Sequence, residues 1–178
     1  MKTSIIIPSC KTKETIEPLL EEIKSTISSD YNIIPVCTKN SAAQNRNKGL
    51  DFAEDSQFII QVDDDIIGFQ DGWAEALIKI LEENPNINFI SPRLVNINGS
   101  FAIMGNEGYE PIKLQEAQFI PTSCIAFRNT YKRFDETFVG SGFEDTSFLH
   151  DIGSKYIIAN DMRVVHLNER KNQDGLNW

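Results

Sequence analysis

An open α/β sheet with its ligand site at the carboxyl ends of the strands is the architecture this sequence predicts, and three observations predict it. Short apolar runs alternate with amphipathic stretches over residues 1–92, an order that builds a largely parallel sheet with right-handed crossovers. The run Gln57-Phe-Ile-Ile-Gln-Val breaks off into Asp63-Asp64-Asp65, and in open α/β sheets the crevice beyond the strand ends is where ligands sit. The chain's 178 residues suit a single domain, long enough to bury about 70% of its unfolded surface.

The elements follow in order. Ser4-Ile-Ile-Ile-Pro8 is a short buried strand stopped by proline, followed by the loop Ser9-Cys10-Lys11-Thr12. Ile16, Leu19, Leu20, Ile23 and Ile27 share one face of a helix from about Thr15 to Ser28, with Pro18 placed in its first turn. Asn32–Cys37 is a strand whose Pro35 suits an edge or a bulge. Ser41 and Gln44 have capping-box spacing, opening a helix through about Glu54. After the strand that ends in the aspartates, Asp71 is expected to cap a helix with Trp73, Leu77, Ile80 and Leu81 on its apolar stripe, ending near Asn84-Pro85. Asn88–Pro92 is the fourth strand. Beyond it the pattern changes. Asn98-Gly99 predicts a hairpin between 94–97 and 100–104. Residues 107–116 read as a loop, Gln118–Arg128 as a strand and Gly140–Asp145 as a second loop. A short helix follows over Thr146–Ile152, then strands over Lys155–Ala159 and Arg163–Leu167. The polar tail, 168–178, is expected to be mobile.

Composition sets limits. Hydrophobic residues make up 40% and charged residues 24%, ordinary for a soluble protein. A net charge of -9 argues against a broad, unspecific nucleic-acid surface, which needs clustered Lys and Arg. No apolar run is long enough to span a membrane and no signal peptide is seen, which predicts a cytoplasmic protein. Cys10, Cys37 and Cys124 are odd in number and widely spaced, fitting buried free thiols better than a disulfide framework or a zinc site. Three adjacent carboxylates repel one another unless a cation or hydrogen-bond donors gather there. Hard divalent cations take such oxygen ligands together with substrate phosphates.

In this order the chain resembles the GT-A glycosyltransferases, most closely the family 2 type. Four motifs carry the resemblance across nearly the whole chain: Ser4-Ile-Ile-Ile-Pro8; Ala43-Gln-Asn-Arg46-Asn47-Lys-Gly49; Val62-Asp63-Asp64-Asp65, which is similar to the family's Asp-x-Asp strand end; and Phe134-Asp135-Glu136, Gly142-Phe-Glu144-Asp145 and Val165-His166. The resemblance implies an α/β GT-A fold: a Rossmann-like, mostly parallel central sheet flanked by helices, with a small mixed sheet on the acceptor side. Its nucleotide-binding half would be 1–92, its acceptor half 93–167 and its tail 168–178. It implies transfer of a sugar from a nucleotide-sugar donor, with Mn²⁺ or Mg²⁺, to an acceptor hydroxyl.

The roles it implies are specific. Asp65 and His166 are metal ligands, although a lone histidine at a strand end is more often structural; His150 reads as a helix-surface residue. Asp63 and Asp64 hold ribose hydroxyls or water, since three acids cannot crowd one ion. Pro8, Ser9 and Thr38 line the donor site. Arg46, about one turn into its helix, suits a diphosphate or nucleobase contact, and Arg170 and Lys171 fold over the diphosphate. Asp145 is the base of an inverting transfer, with Glu144 beside it holding the acceptor or the loop. Gly140 and Gly142 let the backbone approach the sugar, and Trp73 joins them on the acceptor side. UDP is the commonest donor nucleotide in the family. The family's acidic base-reading residue after the second strand is replaced here by Val36-Cys37-Thr38-Lys39, which leaves the donor base open. The acceptor is equally open: a saccharide, a lipid carrier, a protein or a modified nucleobase. A nucleotidyltransferase is the rival enzyme, but Ser9–Thr12 lacks the glycine its loop needs. A non-catalytic nucleotide-sugar-binding module of the same fold is the third reading.

Overall fold

Thr3–Ser9 (β1) is buried along its whole length, as expected of a strand covered on both faces. The computed structural model describes residues 2–100, 112–138, 143–153 and 155–167. After β1 come α1 (Lys13–Thr26), β2 (Asn32–Cys37), α2 (Ala42–Phe52), β3 (Phe58–Val62), β4 (Ile66–Ile67), α3 (Trp73–Glu83) and β5 (Phe89–Asn96). Then follow β6 (Leu114–Ala117), β7 (Cys124–Arg128), α4 (Glu144–Ile152) and β8 (Tyr156–His166). One sheet runs β2-β1-β3-β7-β5-β8-β4, with β6 also paired to β8.

The parallel part is β2-β1-β3 together with β5-β8. β7 enters antiparallel between β3 and β5. The acceptor-side strands of the expected mixed sheet continue the central one: β6 and β4 both pair antiparallel with β8. β8 itself unites two expected strands and carries a register shift against β5 between Pro92 and Arg93.

The helices cover both faces. Ile16, Leu19, Leu20 and Ile23 of α1 and Trp73, Leu77 and Leu81 of α3 pack on Ile5, Ile7, Ile60 and Ile90. On the opposite face Leu50 of α2 and Phe148 and Leu149 of α4 pack on Ile6, Ile59, Phe89 and Phe127. The Phe134 and Phe148 rings stack there with centroids 3.9 Å apart.

The Ser41–Gln44 capping box is formed from both sides. The Asp71 cap is not: Gly72 occupies that position in a left-handed conformation (φ 72°) with no side-chain cap, and its amide donates to the Thr26 carbonyl at 2.7 Å. Because α1 begins at Lys13, Pro18 lies beyond the first turn and removes one intrahelical hydrogen bond. At the Asn98-Gly99 turn the Asn96 amide donates to Ser100 O at 2.7 Å; beyond Ser100 the expected return strand lies outside the described residues. Cys124 is buried as expected, whereas Cys10 and Cys37 are only partly so. Among the described residues no helix is long and apolar enough to cross a membrane.

Candidate functional site

The three aspartates at the end of β3 do not converge. Each faces a different partner, and that is how their repulsion is relieved. Asp63 turns to Arg46, whose Nη2 lies 3.3 Å from Oδ1 and 3.4 Å from Oδ2. Asp64 accepts a short hydrogen bond from Ser9 Oγ and sits 3.4 Å from Lys11 Nζ. Asp65 Oδ2 lies 3.5 Å from His166 Nε2. Burial pushes the Asp63 carboxyl upward; Arg46 pulls it down, while Asp65 and Asp64 push it up again, and the net direction is upward.

Arg46 lies beneath the site and not at its surface. It is 3% exposed, and its Nη1 donates to Glu144 Oε1 at 2.6 Å while Nη2 faces Asp63. Its guanidinium also lies 5.3 Å from the centre of the Phe134 ring. Burial works against its charge, but Asp63, Glu144 and Asp145 outweigh that and hold its pKa above the ordinary value. Arg46 thus pairs with two carboxylates, Asp63 and Glu144, the latter 3% exposed. The physical reason is common to all three: a buried guanidinium and carboxylates stay ionised only by pairing.

The rest of that helix motif was not legible as machinery. Asn45 Nδ2 donates to Ser9 O at 3.1 Å and Thr38 O at 2.9 Å, tying the ends of β1 and β2 together, and Thr38 Oγ1 hydrogen-bonds Asn45 Oδ1. Asn47 donates to Phe134 O at 2.9 Å and Glu136 Oε1 at 2.8 Å, and accepts from the Phe134 amide at 2.7 Å. Gly49 packs so closely that an added Cβ would lie 2.2 Å from Ile6 Cγ2. The only sequence signal for these contacts was the motif itself. Of the donor-side expectations, Pro8 and Ser9 end β1 in register with Val36 and Cys37, and Ser9 and Thr38 spend their hydroxyls on Asp64 and Asn45.

Asp145 stands at the start of α4, half-buried. Its Oδ1 accepts from the Thr146 amide at 2.7 Å and its Oδ2 lies 3.5 Å from Thr122 Oγ1. Phe143 before the helix is 74% exposed in a left-handed conformation (φ 70°), a rare state for a bulky residue. Trp73 is corrected outright: it is 2% exposed in the core, its ring centroid lies 4.5 Å from that of Phe69, and Nε1 donates to Thr26 Oγ1 at 3.2 Å. It has no face to offer an acceptor. His150 is a surface residue of α4, as expected. Gly140, Gly142, Arg170 and Lys171 lie outside the described residues.

Asp65 and His166 are the pair whose chemistry suits a cation. Carboxylate oxygen and imidazole nitrogen are donors that Mn²⁺ accepts, and both side chains are partly open, 16% and 17% exposed. Among the described residues no third His, Cys, Asp or Glu joins them in a metal-sized cluster, so a bound ion would complete its sphere with phosphate oxygens and water.

The architecture is the GT-A fold of the nucleotide-sugar glycosyltransferases. GalNAc-T7, solved with UDP, GalNAc and Mn²⁺, superposes with a TM-score of 0.70 at 13% identity, over 99% of this chain and 45% of that one. Residues 1–349 of S. aureus TarS, solved with UDP-GlcNAc, superpose with a TM-score of 0.67 at 15% identity, over 99% of this chain and 60% of that one. By sequence the chain is similar to a Haemophilus influenzae protein named an uncharacterized glycosyltransferase, 29% identical over 153 residues, covering 71% of this chain and 48% of the relative. It thus spans about half the length of the curated relative it matches. No family model matches the sequence.

Proposed function

We propose that the protein is a metal-dependent, inverting glycosyltransferase that moves a sugar from a nucleoside-diphosphate donor to an acceptor hydroxyl. The observation that carries this reading is the buried bridge Asp63–Arg46–Glu144. One guanidinium joins the strand end that bears Asp65 to the helix start that bears Asp145, so the two halves of a transferase site are held in fixed relation. The nucleobase of the donor would lie across the ends of β1 and β2, with Ser9, Asp64 and Thr38 beneath it. Asp65 and His166 would hold Mn²⁺ or Mg²⁺, which supplies charge neutralisation of the departing diphosphate. Asp145 accepts the proton of the acceptor hydroxyl as that oxygen bonds to the anomeric carbon. The anomeric carbon–oxygen bond breaks on the opposite side, and its electron pair leaves with the nucleoside diphosphate.

UDP is the first donor to try, since the GalNAc-T7 and TarS structures hold UDP or UDP-GlcNAc. The acceptor class is a saccharide, a lipid carrier, a protein or a modified nucleobase, and a cytoplasmic enzyme acting on it is the setting we infer. The test is nucleoside diphosphate release from UDP-sugars with Mn²⁺ and with EDTA, followed by NMR of the product's anomeric proton. Metal-dependent release with inversion is the expected result. Retention of configuration, or release indifferent to EDTA, would refute the proposal.

A further inference from the structure

We propose that Arg93 is a positioning residue for His166, acting through the bulge in β8; this rests on the reading of His166 as a metal ligand. The register shows what the bulge does. Pro92 pairs with Ala159 but the next residue, Arg93, pairs with Arg163, so Asn160, Asp161 and Met162 stand opposite no residue of β5. Without that insertion Asn96 would face Arg163, and His166 would run past the end of β5. With it, Asn96 faces His166, and His166 in turn faces Ile66 of β4.

The insertion also changes the face. Before the bulge Ile157 and Ala159 belong to the core beneath α1 and α3, while Tyr156 and Ile158 belong to the opposite core. After it, Met162 and Val164 belong to the α1–α3 core. An insertion of odd length inverts the alternation of a strand, so His166 continues the Met162–Val164 side, where Asp65 stands within 3.5 Å.

Three buried side chains hold the bulge. Arg93 Nε donates to Asn160 Oδ1 at 2.8 Å and Nη2 to Gln115 Oε1 at 2.7 Å. Asn160 Nδ2 donates to the same Gln115 oxygen at 3.1 Å and to Ile112 O at 3.0 Å, and the Asn160 amide to Lys113 O at 2.9 Å. Arg93 is 4% exposed, Asn160 5% and Gln115 2%. Burying a guanidinium is costly unless donors and acceptors match. Here the match fixes Asn160, the first inserted residue, against β5 and β6 at once.

The test uses the full chain and NMR, because His150 and His166 are its two histidines and exposed His150 serves as control. Two readouts separate the ideas. Protection of the Leu167 amide, which donates to Asp65 O at 2.9 Å, reports the strand's position without metal. Selective broadening of the His166 imidazole by Mn²⁺ reports metal binding. In Arg93→Met the β1–β3 amides should stay protected while Leu167 exchange rises by about tenfold or more and the His166 broadening is lost. Gln115→Glu, which keeps the shared acceptor, should behave as wild type. Unchanged Leu167 protection and His166 broadening in Arg93→Met would overturn the proposal. If Arg93→Met does not fold, Gln115→Leu decides: lost Leu167 protection supports the role and retained protection refutes it. Wild-type His166 that Mn²⁺ fails to broaden would sink the metal reading, while Leu167 exchange would still judge Arg93.

Discussion

Arg46 and Asp145 lie close together in the fold but differ in burial and partners. Arg46 pairs with carboxylates 17 and 98 residues away in sequence, and removing it leaves two buried carboxylates without this partner. Arg46→Met should therefore cost about 3–5 kcal/mol of stability, read from urea unfolding; an unchanged midpoint would mean that the pairing contributes little. Glu144 belongs to the same bridge, so Glu144→Gln should lower stability as well as activity. Asp145, half-buried at the start of α4, accepts from the Thr146 amide and lies 3.5 Å from Thr122 Oγ1. Asp145→Asn preserves shape and most hydrogen bonds but removes the proposed base. Its kcat should fall by about 10²–10⁴-fold with donor affinity retained, measured by sugar transfer and by donor titration. The motif around Arg46 was visible in the sequence, but not its job. A helix-start arginine that binds phosphate and one that binds a buried glutamate look alike until the chain folds and brings Glu144 over it.

At the scale of elements, the sequence is legible where local physics decides. The capping box, the amphipathic stripes of α1 and α3 and the apolar strands each announce themselves over a few residues. Long-range pairing decides the rest. The two-residue β4 is defined only by pairing with β8, β6 has no period of its own, and the β8 bulge is a relation between two strands. Two tests belong here. Gly49→Ala adds a methyl 2.2 Å from Ile6 Cγ2; overpacking costs about 1–3 kcal/mol, against about 1 kcal/mol gained in helix propensity. The expected sign is destabilising, and a higher unfolding midpoint would show that α2 can lift from β1. Glu75 closes the end of α1: its Oε1 accepts from the Ser28 and Ser29 amides at 2.8 and 2.7 Å. Burial raises its carboxyl, but its own backbone and those amides more than offset this, leaving the pKa below the ordinary 4.5. With the folded-state value depressed, its contribution is present above the unfolded pKa and fades as pH falls through the folded one. Glu75→Gln should thus lose stability at pH 7 and much less at the acid end; equal losses at both would remove the charge from the explanation.

For the whole molecule, chain order does not give strand order. The sequence of strands and helices through β5 reads as one parallel sheet, yet β7, distant in the chain, inserts antiparallel between β3 and β5 and so separates β2-β1-β3 from the strand that carries the histidine. What unites them again is the pairing of β4 with β8, which sets Asp65 against His166. The prediction at this scale is that donor nucleotide, metal and these two side chains stabilise the fold only together. A ligand that binds the folded state alone raises stability by RT ln(1 + [L]/Kd), about 2.7 kcal/mol at 100 Kd. For a domain of this size each kcal/mol raises Tm by about 2–4 °C, so UDP with Mn²⁺ should raise it by about 5–11 °C. UDP with EDTA should give far less. Asp65→Ala should abolish the metal-dependent part and His166→Ala should reduce it, with both unliganded proteins melting cooperatively. Running GDP, CDP and TDP alongside turns the same measurement on the β1–β2 end, where Cys37, Thr38 and Lys39 stand in place of a base-reading acid. A preference for one nucleotide would assign base recognition to that end. Equal shifts for all would mean that the site grips the diphosphate alone, and unchanged shifts in both variants would remove Asp65 and His166 from the metal site.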